Sequence, residues 1–247
     1  RDPAAVQAGA CALLLTALKA GAELCNWLGE TKETKRCLAA AAVLARTAPP
    51  LPALNKPSSA LYVLSGLADS TSVNRHVLAA DPCHGLSPFS GHWILEARAM
   101  AGDTAGCLDL IRRYWGGMLD LGATTFWEHF EFAWTKGAGR IDQLVPRGKV
   151  DVHRDRGEFC YTGWRHSLCH GWASGPTAWL SENVLGITPL EPGFARVRIA
   201  PQLGRLKWAE GAYPTPRGPI KVRHERQSDG TVKSQIDAPA GIVVVRQ

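Results

Sequence analysis

The spacing of apolar residues changes once along this 247-residue chain, and that change limits the folds open to it. Before Pro189, apolar residues recur every three to four positions, as on one face of an α-helix. From Pro189 onward they alternate with polar residues, as in half-buried strands, over 194–200, 206–212, 218–226, 231–237 and 241–246. Runs of helices followed by runs of strands pack as separate layers. We therefore predict a helical unit over 1–188 and a β unit over 189–247.

Proline and glycine divide the helical part into separate helices. The pattern predicts helices over 3–28, 33–46, 59–68, 73–80 and 89–100, and a strongly amphipathic one from about 103 to 122. A last helix is expected after Ser174, a residue type suited to the N-cap, with Pro176 in the first turn. The glycine-rich and charged stretch from Glu131 to Gly163 has no sustained period, which is typical of a long loop excursion.

Charge and composition argue against several partners. The net charge of +6 comes from 194–226, where eight Lys and Arg face two acids. These bases alternate with apolar residues as on the wet face of strands, and no aromatics are interleaved, so we do not expect a nucleic-acid partner. No window holds the roughly 18 consecutive apolar residues of a membrane helix, so no membrane partner is expected either.

The seven cysteines predict neither a disulfide framework nor a metal site. Cys11, Cys25, Cys37 and Cys107 fall within helical apolar patterns, where a reduced cysteine acts as a small core residue. No C-x-x-C pair occurs, and Cys160 and Cys169 lack zinc-site spacing. We expect no metal and no cofactor, and free thiols favour a reducing interior only slightly, so the compartment stays open.

Two clusters could carry chemistry. The first, 122–130, places Glu128 beside Trp127 and other aromatic residues just past a helix end, and aromatic faces stack on sugars. The alternative is a carboxylate that simply meets solvent. The second, 167–176, sets His170 and Trp172 directly before a helix start, although a lone histidine is more often a structural hydrogen-bond partner. Neither a Ser-His-Asp pattern nor a glycine-rich phosphate fingerprint is legible.

Taken in order, these clusters resemble the C-terminal region of bacterial and fungal α-L-rhamnosidases. The resemblance extends over nearly the whole chain and is most specific in 114–119, 122–128, 167–187, 189–194 and 208–211. It implies an α+β multidomain fold, in which part of an (α/α)6 helical barrel is followed by a small antiparallel β-sandwich. It also implies an inverting glycoside hydrolase that acts on rhamnose-containing glycosides or polysaccharides.

The resemblance assigns roles to particular residues. Glu128 matches the general base that deprotonates the attacking water, and His170 matches a histidine that hydrogen-bonds the rhamnose ring. Trp127, Trp93 and Trp172 are weaker substrate-binding candidates, for which ordinary core packing is an equal alternative.

The general acid of the family is missing from this sequence. In the family it lies in an acid-rich segment of the earlier half of the barrel, whereas Arg154-Asp155-Arg156 follows Glu128 and does not take the role. We expect the missing N-terminal half to be a partner of this chain, and expect the chain alone to expose apolar helix faces and to be inactive. Two alternatives remain open, a polysaccharide lyase of helical-barrel type and a non-catalytic carbohydrate-binding fragment.

Overall fold

The computed structural model describes residues 2–51, 55–155 and 166–246. Within these ranges the helices are α1 Pro3–Trp27, α2 Thr31–Thr47, α3 Lys56–Ser65, α4 Ser70–Val73, α5 Pro88–Met100, α6 Thr104–Asp120, α7 Val152–Asp155 and α8 Gly175–Trp179. Two π-helical turns continue α4 and α8, over Asn74–Leu78 and Leu180–Val184. The strands are β1 Ile187–Pro189, β2 Arg196–Ile199, β3 Trp208–Tyr213, β4 Ile220–Arg226, β5 Val232–Asp237 and β6 Val243–Arg246.

Most predicted helices are confirmed within a few residues, and the shifts have local causes. The helix predicted over 59–68 begins earlier and ends at Ser65, because the Asn55 side chain caps it and Gly66 takes a left-handed φ of 78°. Ser174 is the N-cap residue of α8, as predicted, but its side chain makes no capping bond to the helix. Its hydroxyl donates 2.7 Å to the carbonyl of Gly171 instead of accepting from the helix.

The main core lies where α5 and α6 meet the loop that follows α6. Ile94, Leu95 and Leu110 are almost fully buried there. Trp115 joins this core to the segment before α8, since its indole N–H donates 2.9 Å to the carbonyl of Ala173. The excursion predicted from Glu131 is confirmed as far as the described residues reach, with a 3-10 turn at Phe132–Lys136 and the short α7. Its part from 156 onward, including Cys160, lies outside the described residues.

The first two helices leave apolar side chains exposed, as expected for this chain alone. α1 packs on α2 and α3 through small buried residues such as Ala8 and Ala12. Its other face, with part of α2, is exposed, and the large apolar side chains there are Val6, Leu13, Leu14, Leu24, Trp27, Leu38 and Val43. By length and composition alone, α1 is also long and apolar enough to cross a membrane, with 25 residues and an 18-residue window of mean hydropathy 1.4, a test that core helices of other proteins also pass. The search for an unbroken apolar run did not select α1, because single polar residues interrupt the run of apolar residues.

The β unit is a pair of three-stranded sheets, ordered β1-β2-β6 and β3-β4-β5. The predicted sandwich is confirmed, with antiparallel pairing everywhere except between β2 and β6, which run parallel. Ile187, Val197, Ile199, Ile220 and Val222 fill the space between the sheets. The sequence prediction missed β1, which is only three residues long.

The described cysteines are free thiols, as predicted. Cys107 is fully buried in the helical core, and burial raises its pKa to about 12, so it stays a neutral thiol. Cys11, Cys25 and Cys37 are only partly buried, because the helices that carry them are covered on one side alone.

Candidate active site

Glu128 lies in an irregular segment that two buried aromatic rings hold in place. Gly122 ends the turn after α6 with a φ of 89°, and the chain then runs along the end of the helical core. Trp127 and Phe130 are both fully buried, with ring centroids 6.0 Å apart. Glu128 is itself only 7% exposed. The alternative reading of a carboxylate that simply meets solvent is therefore wrong.

A second segment, 166–172, is hydrogen-bonded alongside the first. The amide of Glu128 donates 2.9 Å to the carbonyl of Ser167, and the amide of His170 donates 2.7 Å to the carbonyl of Phe126. The Thr125 hydroxyl adds a bond to the carbonyl of Leu168. These bonds bring the two clusters found in the sequence onto one surface of the molecule.

The carboxylate of Glu128 is held by this second segment. Its Oε2 accepts a 3.1 Å hydrogen bond from the backbone amide of Ser167. Among the described residues no side chain or backbone group bonds Oε1, which leaves that oxygen available to accept a proton. A backbone amide is a fixed donor, so the carboxylate is oriented without a competing cation.

Trp172 connects both predicted site residues. Its indole N–H donates 2.8 Å to the carbonyl of Glu128, and its ring lies 4.2 Å from the His170 ring between centroids. The ring also packs on Phe89 at 5.3 Å and remains 47% exposed. Trp172 can therefore contact a ligand while it keeps its structural bond.

An aromatic concavity of about 320 Å³ lies beside these residues. Trp93 and Trp172, two of the three tryptophans suggested by the sequence, line it, and Glu128 is not among its lining residues. Phe89 stands between them, 48% exposed, with its ring 4.9 Å from that of Trp93. Sequence reasoning did not select Phe89 as a site residue, although its place in the first turn of α5 puts it at the same end of the helix as the concavity.

Trp127 is placed differently from the other two tryptophans. It has no exposed surface, and its ring faces Phe130 and His166 edge-on. Further chain segments could only cover it more, so it has no face with which to stack on a sugar. Trp127 is therefore a core residue that anchors the backbone next to Glu128, and the structure gives no support to its predicted contact with the sugar.

His166 is a second residue near the site, besides Phe89, that sequence reasoning did not assign. It is buried against Trp127, and burial lowers the pKa of its imidazole. Its Nε2 lies 2.8 Å from the carbonyl oxygen of His129. A lone histidine in a loop carries no sequence signal that would distinguish this position.

Other charged groups near the site form pairs of their own. His129 Nε2 lies 3.7 Å from Glu131 Oε1. Asp155 bonds Arg154 at 2.7 Å, within α7. Among residues 2–51, 55–155 and 166–246, no group of three or more His, Cys, Asp or Glu side chains is placed to hold a metal ion.

Comparison with known proteins identifies the β unit first. Residues 186–244 match the family described as bacterial alpha-L-rhamnosidase C-terminal domain. An alpha-L-rhamnosidase of Alteromonas sp. (strain LOR) is 42% identical over 66 residues, which are 26% of this chain and 7% of the relative. Another, of Streptomyces avermitilis, is 27% identical over 119 residues, or 48% of this chain and 10% of the relative.

Solved structures share the fold over almost the whole chain. A GH78 family rhamnosidase of Bacillus sp. GL1 aligns with a TM-score of 0.70 and 26% identity, covering 94% of this chain and 25% of that one. The alpha-L-rhamnosidase of Aspergillus terreus aligns with a TM-score of 0.74 and 17% identity, covering 95% and 27%. The chain thus spans about a quarter of the length of these solved relatives. The chain is thus similar in fold to α-L-rhamnosidases over most of its length, and its residues 186–244 match the family of their C-terminal domain.

Proposed function

We propose that this chain is part of an enzyme that hydrolyses terminal α-L-rhamnosyl groups with inversion, and that Glu128 is its general base. The observation that carries the proposal is the carboxylate geometry. The Ser167 amide holds Oε2, while Oε1 can take the proton of a water that attacks the anomeric carbon. Inverting hydrolysis needs such a base on the face opposite the leaving group.

His170 and the exposed aromatic rings form the proposed sugar-binding surface. The backbone bond to Phe126 fixes the position of His170, and the ring of Trp172 packs on its imidazole, so the imidazole can donate to or accept from a sugar hydroxyl. Trp93 and Trp172 offer apolar faces for the rhamnose ring and its methyl group. A relative from Streptomyces avermitilis was solved in complex with L-rhamnose, which supports this choice of sugar.

The remaining parts of the proposed enzyme come from outside this chain. Inversion requires a protonated carboxylic acid about 6.5–9.5 Å from the base. We propose that an N-terminal half of the barrel supplies this acid and packs on the exposed apolar face of α1 and α2. No cofactor takes part in the proposed reaction. We also propose a division of the chain into 1–188 and 189–247, which agrees to within a few residues with the start of β1.

The test is Glu128→Gln in the full-length protein. An amide cannot accept the proton of water, so kcat on an aryl α-L-rhamnoside should fall by about 10²–10⁴ while the fold persists. Glu131→Gln is the matched control, because that neighbouring carboxylate is half-exposed and lies near His129, and it should keep nearly full activity. NMR of the first-formed sugar should show the inverted anomer.

Two results would contradict the proposal. Full activity of the Glu128→Gln enzyme would remove this residue from the mechanism, and an unsaturated, ultraviolet-absorbing product would indicate elimination instead of hydrolysis. The present chain alone should show no turnover, because it lacks the proposed acid.

A further inference from the structure

The buried imidazole of His166 stands directly behind the segment that carries Glu128. It is 1% exposed, and the rings of Trp127 and Trp134 face it edge-on at centroid distances of 6.2 and 5.8 Å. Burial lowers its pKa, so the ring is neutral at neutral pH. A neutral imidazole has one donor and one acceptor nitrogen, and a buried one requires partners for both.

Both ring nitrogens of His166 face main-chain groups. Nε2 lies 2.8 Å from the carbonyl oxygen of His129 and 3.2 Å from its amide nitrogen, and Nδ1 lies 3.4 Å from the carbonyl oxygen of Val152. If Nε2 carries the proton, it donates to the His129 carbonyl. If Nδ1 carries the proton, it donates to Val152 and Nε2 accepts from the His129 amide. In either tautomer Nε2 is tied to the backbone of His129.

These contacts link the two chain segments that hold Glu128. His129 follows Glu128 directly, and Ser167, which donates to the Glu128 carboxylate, follows His166 directly. The His166 imidazole therefore joins His129, which follows Glu128, to the segment whose Ser167 amide orients the Glu128 carboxylate. A shift of His166 would move Glu128 and the Ser167 amide relative to each other.

We propose that His166 is a positioning residue that fixes the reach of the Glu128 carboxylate by holding the backbone of His129 against the 166–170 segment. The inference rests on the proposed function of Glu128. It does not require His166 to touch the substrate, and the residue is too deeply buried to do so, at 1% exposed.

Two substitutions of similar polarity distinguish the contact made by Nε2 of His166 from the contact made by Nδ1. In His166→Gln, the longer side chain places its amide near the former Nε2 and keeps a bond to His129. In His166→Asn, the shorter side chain reaches only the former Nδ1 position toward Val152. We expect His166→Asn to lower kcat of the full-length enzyme by roughly 10- to 100-fold, since a misplacement of about 1 Å costs up to 10²-fold. KM should stay within about 2-fold, because substrate contacts remain. His166→Gln should restore most of kcat.

His224 offers the matched control. It is equally buried and neutral, and its nitrogens bond the Ser234 hydroxyl at 2.8 Å and the Leu185 carbonyl at 3.1 Å, outside the two segments of the site. His224→Asn should lower the thermal stability but leave kcat nearly unchanged. Hydrogen exchange gives a readout besides activity, because amide exchange across 166–170 should accelerate in His166→Asn and not in His224→Asn.

Three results would overturn the proposal. They are equal losses of kcat in His166→Asn and His224→Asn, a loss confined to KM, and no difference between His166→Asn and His166→Gln. The Glu128→Gln enzyme distinguishes this from a failure of the proposed function. If that enzyme is fully active, the function itself is wrong, whereas an inactive Glu128→Gln with a fully active His166→Asn refutes only the positioning role.

Discussion

Glu96 should make the stability of this protein fall as the pH rises from mildly acidic to neutral. It projects from α5 into a polar cavity of about 330 Å³ between the helical and β units, with Glu182 and Arg198 in the same wall. Burial and the like charge of Glu182 raise the pKa of Glu96 from 4.5 to about 7. A 3.4 Å hydrogen bond donated by Asn183 lowers it and offsets part of this rise. The folded protein therefore keeps a proton that the unfolded chain releases.

The sign and size follow from this difference. Below about pH 4.5 both states are protonated, and between 4.5 and about 7 only the folded state is, so the free energy of unfolding decreases across that interval and then levels off. At 1.36 kcal/mol per pH unit the upper limit is about 3.4 kcal/mol. Because the side chain is only partly buried, solvent screening reduces the expected change to about 1–2 kcal/mol.

The perturbation that isolates this effect is Glu96→Gln. The amide stays neutral and can still accept from Asn183, so the variant should match the wild type near pH 4.5 and exceed its stability by about 1–2 kcal/mol at pH 8. Urea unfolding at intervals from pH 4.5 to 8.5 measures the difference. Glu182→Gln removes the neighbouring charge and should shift the decline to lower pH. A stability difference between Glu96→Gln and wild type that is the same at pH 5 and pH 8 would refute the reasoning.

Two further substitutions test the packing around the site and the β unit. Gly186→Ala should destabilise the fold by about 2–5 kcal/mol, because a left-handed φ costs an alanine about 1–2 kcal/mol and overpacking adds about 1–3. Gly186 has a φ of 71°, and a Cβ there would lie 2.2 Å from the carbonyl carbon of Ala200. Trp115→Phe should cost about 1–3 kcal/mol, because it leaves the carbonyl of Ala173 buried without its donor. Denaturant titration checks both, and a loss under about 0.5 kcal/mol, the range of ordinary surface changes, would contradict either.

The division into helices and strands could be predicted because periods of 3.6 and 2 arise from backbone geometry alone. Finer features could not. The π-helical turn at Leu180–Val184 shows the same apolar spacing as an α-helix over so few residues. The parallel pairing of β2 with β6 also carries no signal, since the alternation of side chains does not depend on the direction of the neighbouring strand.

The two clusters of the site could be found in the sequence, but their hydrogen bonding could not. Glu128 and Ser167 are 39 residues apart, and nothing in either cluster reveals that they bond to each other. His166 is a single histidine beside a stretch without periodicity, so its part in joining the clusters becomes visible only in three dimensions.

The aromatic residues that flank Glu128 in the sequence pack in the core, whereas the sequence analysis associated them with sugar stacking. Trp127 and Phe130 flank the carboxylate in the sequence, and both turn inward, where Tyr114 packs on Phe130 at 5.0 Å. Large rings buried on both sides of a short segment leave few positions for the residues between them, so they orient Glu128 better than flexible side chains could. The rings open to a ligand come instead from other elements, Phe89 and Trp93 from α5 and Trp172 from the loop before α8. Aromatic density near a carboxylate thus indicates a rigid support for the proposed base, and exposed rings that converge from separate elements indicate where the proposed sugar would bind.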